Sequence, residues 1–303
     1  MHTPMSHYAR LGLVHHMLYP DCGEKPEEHV RTLLALARRT DIETFDCCLP
    51  YGQESRAQLI PALRACGKTD IAFASHFFPM RKISFCTTSK PEQAQSRMIV
   101  RDMVAQAAAI GATAFIFPSG GPTPADATPA NRAAFADFCR WLCGELKPHG
   151  ITAQLEPFDM TIDKRFLYGP TKECVALIES LKPGVDNLGI ELDMAHLPLM
   201  GETFEHAIRT VAPHLKRVHL GNCVLRDKAN PRYGDTHPPM GYPGGEIDVP
   251  ELTEILRLLL EVGFLNPKSR GNLVIEMTPW PGKSVEETIT DAFARLDTAW
   301  EKA

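Results

Sequence analysis

Short apolar runs alternate along the chain with longer segments of helical period. The runs fall at residues 11–14, 44–48, 71–75, 114–117, 152–155, 188–192, 217–220 and 273–275. They are near-continuous rather than alternating, as expected for parallel strands covered on both faces. The segments between them carry helix signatures with readable ends. One begins at Pro26-Glu27-Glu28 and places Val30, Leu33, Leu34 and Ala37 on one face. Proline and acids in its first turn and Arg38-Arg39 at its end suit the helix dipole. Another opens at Thr128-Pro129 and repeats Phe135, Phe138, Cys139, Leu142, Cys143 and Leu146, the stripe of a helix packed on a sheet. Asp248-Val249-Pro250-Glu251 and Ser284-Val285-Glu286-Glu287 have the form of capping boxes.

Eight strand–helix units without a compositional break predict an α/β protein, a single (β/α)8 TIM barrel spanning residues 1–303. Two connections exceed plain turns, at about 119–131 and 221–247. In such a barrel, loops that follow strands lie on the catalytic face, and loops of this length cover or line a site.

Charge narrows the function classes. A formal net charge of −5, with no Lys/Arg cluster, argues against a nucleic-acid partner. No stretch of 18 apolar residues is present to span a membrane, and residues 1–10 lack the apolar segment of a secretory signal. Nine cysteines show neither a CxxC pair nor a regular framework, which fits reduced, buried thiols in a cytoplasmic protein.

The chemistry lies at the strand ends. The fifth run closes on Glu156, the sixth leads into Asp193-Met194-Ala195-His196, the seventh contains His219 and the eighth closes on Glu276. Each ionisable group follows apolar residues at the point where a strand leaves the core. Carboxylates are seldom buried unless paired or bound to a cation, and three converging on one barrel mouth would repel one another. One divalent metal answers that requirement. A thiolate-free, oxygen-rich set favours Mn²⁺, with Mg²⁺, Co²⁺ or Zn²⁺ as alternatives.

The order Glu, Asp-x-x-His, His, Glu over the last four strands resembles the xylose isomerase-like barrel superfamily, which includes sugar epimerases, inosose dehydratases and hydroxypyruvate isomerases. The resemblance implies that Glu156, Asp193, His219 and Glu276 bind the metal, and that Glu156 and Glu276 are the catalytic acid/base pair. It places His196 on a substrate oxygen and makes Arg226 a substrate-binding arginine. The implied reaction is isomerisation or epimerisation of a sugar by proton abstraction next to a carbonyl, through an enediolate. The same first step followed by elimination gives the alternative, a lyase or dehydratase acting on a keto-sugar, keto-inositol or 3-keto-glycoside, C-glycoside cleavage included. A non-catalytic sugar-binding barrel is a third reading, which the paired Glu156 and Glu276 oppose. The expected partner is a small sugar or sugar derivative, in a homo-oligomer or a larger complex.

His76, closing the third run, and His237, in the loop after the seventh, are further substrate-binding candidates, followed by Asp46 and the pair His15-His16. Asp235-Thr236-His237 also resembles a motif that holds an additional zinc in the superfamily's abasic-site endonucleases. The fourth strand ends Phe117-Pro118-Ser119-Gly120 without the histidine those enzymes use, which counts against a nuclease. Asp163-Lys164-Arg165 reads as solvated loop charge.

Overall fold

The structure is a computed structural model and describes residues 3–75 and 84–303. Eight parallel strands close into a barrel in sequence order: β1 (Ala9–Val14), β2 (Thr44–Cys47), β3 (Ala72–Ala74), β4 (Ala114–Phe117), β5 (Thr152–Leu155), β6 (Leu188–Asp193), β7 (Leu215–Leu220) and β8 (Gly271–Ile275). The last strand pairs with the first, from Ala9 opposite Gly271 to Leu13 opposite Ile275. Every expected run is a strand, with ends shifted by two residues or fewer.

Side chains alternate in direction along each strand. Phe45, Cys47, Phe115, Phe117, Leu155, Ile190, Leu192, Val218, Leu220, Leu273 and Ile275 join one large core packed against the helices. Ala72, Ala114 and Ile116 form a separate small cluster on the opposite parity, as barrel-interior positions should. The inward parity of β6 and β7 is polar, because Glu191, Asp193, Arg217 and His219 alternate with that outward set and are all buried. A register shift at Ile190/Glu191 sets Glu191 opposite Arg217 and Asp193 opposite His219.

The helices form where expected. Pro26–Ala37 starts with proline and two acids, but it buries Leu36 rather than Leu34, which is only partly covered. Pro129–Leu146 buries the six residues of its predicted stripe. Val249–Glu261 starts with the Glu251 carboxylate accepting the Asp248 N–H at 3.0 Å, and in Val285–Trp300 Ser284 and Glu287 cap each other reciprocally. All nine cysteines are free, eight of them buried. Among the described residues no helix is long and apolar enough to cross a membrane.

Candidate active site

The four strand-end residues meet. Glu156, Asp193, His219 and Glu276 are each 3% exposed or less, and one ligating atom from each lies within 4.8 Å of the others. Asp193 Oδ1 accepts the Ala195 N–H at 2.6 Å, while its Oδ2 has no hydrogen-bond partner. His219 Nδ1 and Glu276 Oε2 lie 2.5 Å apart, yet neither makes a properly aligned hydrogen bond. Buried acceptors left this way cost about 1–3 kcal/mol each. They face a common point, which is the arrangement a cation resolves.

The tautomer of His219 is fixed from behind. Asp46 takes a hydrogen bond from Arg217 Nη1 at 2.9 Å on one oxygen and sits 2.7 Å from His219 Nε2 on the other. An ionised carboxylate only accepts, so His219 Nε2–H donates and Nδ1 is the nitrogen turned to the cluster. Arg217 is fully buried and also donates to the Asp70 carbonyl.

The electrostatics are those of crowded acids. Burial, then Glu191 and Glu276, holds the Glu156 carboxyl well above the usual range. Burial also lifts Glu191 to about 8 and Asp193 to about 6. Glu276 goes the other way, because His237 and His219 outweigh its burial. Six buried carboxyls (Asp46, Glu156, Glu191, Asp193, Asp235 and Glu276) surround one guanidinium and the imidazoles of His196, His219 and His237.

A second layer adjoins the first. Asp193, His196 and His237 also bring ligating atoms within 4.8 Å of one another. His196 Nδ1–H donates to the Pro157 carbonyl at 2.8 Å, which turns Nε2 toward Asp235 at 3.4 Å. His237 Nε2 lies 2.8 Å from the same Asp235 oxygen. Burial would depress both imidazoles, but Asp235 overcomes it and raises His196 to about 9 and His237 to about 10. Lys164 reaches Asp235 at 3.1 Å and Asp163 at 3.2 Å, so it is tied into the site rather than left as solvated loop charge.

The loop carrying Asp235 and His237 is anchored from below. The Asn222 side-chain oxygen Oδ1 accepts the N–H groups of Cys223, Glu246 and Ile247, and its Nδ2 donates to Pro239 O. His237 has a left-handed backbone with φ 47°, held where the Thr278 N–H meets its carbonyl at 2.7 Å. Gly221 makes the close approach feasible, since a Cβ there would lie 2.6 Å from Asp193 Oδ1 and 2.8 Å from His237 Nδ1.

One expected site residue is not part of this assembly. Arg226 points away, with its side chain 79% exposed and paired with Glu246 at 2.8 Å. Distance along the loop from His219 carried no information about direction. His76 lies outside the described residues. The sequence reading passed over Glu191 and Arg217, although each stands two residues before a recognised site residue and so faces the same way.

A family model described as xylose isomerase-like TIM barrel matches residues 34–297. The chain belongs to that family. Solved structures repeat the fold at low identity. A D-tagatose 3-epimerase-like protein is 14% identical, covers 97% of this chain and 99% of its own, and gives a TM-score of 0.71. A xylose isomerase domain protein from Planctomyces limnophilus is 18% identical, with coverages of 97% and 98% and a TM-score of 0.67. An AP endonuclease, family 2, from Brucella melitensis is 19% identical, with coverages of 95% and 99% and a TM-score of 0.65. A search of curated proteins finds no match. For this member of the xylose isomerase-like family, identities this low carry the fold and leave the reaction to the site's chemistry.

Proposed function

We propose that the protein is a divalent-metal-dependent sugar isomerase or epimerase, with Glu156, Asp193, His219 and Glu276 as metal ligands. The observation that carries this reading is the convergence of buried acceptor atoms, Asp193 Oδ2, His219 Nδ1 and Glu276 Oε2, without hydrogen-bond partners of their own. Three carboxylates and one imidazole without sulfur suit Mn²⁺, Mg²⁺ or Co²⁺. When bound, the ion would polarise a carbonyl oxygen and stabilise the negative charge that develops on it.

The chain's own groups supply the rest. Glu156 and Glu276 extend from β5 and β8, three strands apart around the barrel, and serve as the carboxyls that remove and return a proton on carbon. Their environments push them in opposite directions, one toward the acid form and one toward the carboxylate, the division of labour that proton transfer needs. His196 and His237, held cationic by Asp235, line the site, and His237 Nδ1–H is the donor offered to a sugar oxygen.

The test is incubation with ketoses and 3-keto-glucosides in D₂O after chelation and reloading with Mn²⁺ or Co²⁺. Deuterium should appear at the carbon next to the carbonyl, disappear with EDTA, and be lost in Glu276→Gln. Turnover without exchange would overturn proton abstraction, and an unsaturated product or released aglycone would assign elimination instead.

A further inference from the structure

A further cluster of ligating side chains gathers at the end of β1 and is chemically unlike the mouth cluster. His15 follows β1, Cys22 sits in the 3-10 turn Pro20–Gly23, and His29 is on the helix Pro26–Ala37. All three are 1% exposed or less. One ring nitrogen from each histidine and the Cys22 Sγ lie within 4.8 Å of one another.

Hydrogen bonds fix which nitrogens are turned inward. Thr32 Oγ1–H is given to the Glu28 carbonyl at 2.8 Å, so Thr32 Oγ1 accepts from His15 Nε2–H at 2.9 Å. His15 Nδ1 is then the lone-pair nitrogen, and it is buried without a hydrogen-bond partner. His29 Nε2–H donates to the Cys48 carbonyl at 2.9 Å, and the ring also meets the Cys22 backbone carbonyl. The rings stack with centroids 4.9 Å apart, an arrangement two imidazolium ions would resist. Burial, with His29 next, holds His15 well below its ordinary value, and burial brings His29 to about 4. Both rings are therefore neutral, and each is oriented by a hydrogen bond from its Nε2, as histidine ligands are in metal sites.

We infer that His15, Cys22 and His29 form a His₂Cys site for a thiophilic late transition ion of the Zn²⁺ class. Two imidazole nitrogens and one sulfur suit such an ion, whereas the mouth cluster favours harder cations. All three donors are buried and come from three successive segments, so the role of the site is to tie the end of β1, the turn and the following helix together. The bound form releases the Cys22 proton and leaves a thiolate on the metal.

The absence of sulfur from the mouth cluster makes the test selective. The intact protein, stripped of metal in reducing buffer, is titrated with Co²⁺. A thiolate-to-cobalt charge-transfer band in the near ultraviolet should grow to one equivalent, vanish in Cys22→Ser and persist in Cys174→Ser. It should also persist in the double variant Asp193→Asn/Glu276→Gln, which separates this inference from the proposed function. No band in wild type, or a band that survives Cys22→Ser, overturns the site. X-ray absorption of wild-type protein loaded with Zn²⁺ gives a readout independent of any variant. A sulfur neighbour at about 2.3 Å supports the assignment, and scattering from oxygen and nitrogen alone refutes it.

Discussion

Asp46→Asn tests how far the site depends on a residue that touches no ligand point. In the native protein Asp46 accepts from Arg217 Nη1 at 2.9 Å and from His219 Nε2 at 2.7 Å. An asparagine has one acceptor oxygen and one donor NH₂, so it can satisfy only one of these partners. If the NH₂ faces His219, the ring must move its proton to Nδ1, the nitrogen proposed to bind metal. If it faces Arg217, two donors oppose each other, and in either orientation the buried guanidinium loses its counter-charge. Loss of such a supporting partner weakens metal binding about 10–100-fold, or about 1.4–2.7 kcal/mol. Removing one partner of a buried ion pair costs about 3–5 kcal/mol of stability. The lower end applies here, because Arg217 keeps the Thr44 hydroxyl at 3.4 Å and the Asp70 carbonyl as acceptors. Calorimetric titration with Mn²⁺ and urea denaturation of the metal-free protein read the two effects separately. Affinity within twofold of wild type, in a variant with an unchanged fold, would refute the tautomer argument.

Four further outcomes follow from the same geometry. Gly221→Ala should weaken metal binding and lower stability by about 1–3 kcal/mol, since the new methyl cannot fit between Asp193 and His237; titration and denaturation midpoints check this. Arg226→Ala should leave kcat/KM within about twofold, the change expected of an exposed side chain, as steady-state kinetics will show. Metal affinity should rise as pH increases through about 6, because burial raises the Asp193 carboxyl to that value and binding must expel its proton; proton release on titration is the direct measure. His237 is raised to about 10, so its contribution to the stability of the metal-free protein is fully present below its unfolded value near 6.5. That contribution is lost as pH climbs through about 10, and the urea midpoint should fall across this window.

The sequence made the barrel legible because each strand is buried on both faces and each helix announces its start. The four convergent residues were legible for the same reason, an ionisable group placed where an apolar run ends. Glu191 and Arg217 were obscured because they lie inside runs that read as core; only the two-residue alternation from Asp193 and His219 points to them. Arg226 misled because distance along a loop does not fix direction. Asp235 looked like part of a zinc motif in isolation, and only folding shows it shared between His196 and His237.

Arg217 on β7 and Asp46 on β2 are separated by 171 positions in the chain and meet inside the barrel. Because a guanidinium keeps its proton, neither half of the cylinder can close alone without stranding a charge in its interior. Fragments cut between β4 and β5 should therefore stay poorly ordered apart and recover structure only when mixed, so that this pair acts as a lock on whole-barrel cooperativity.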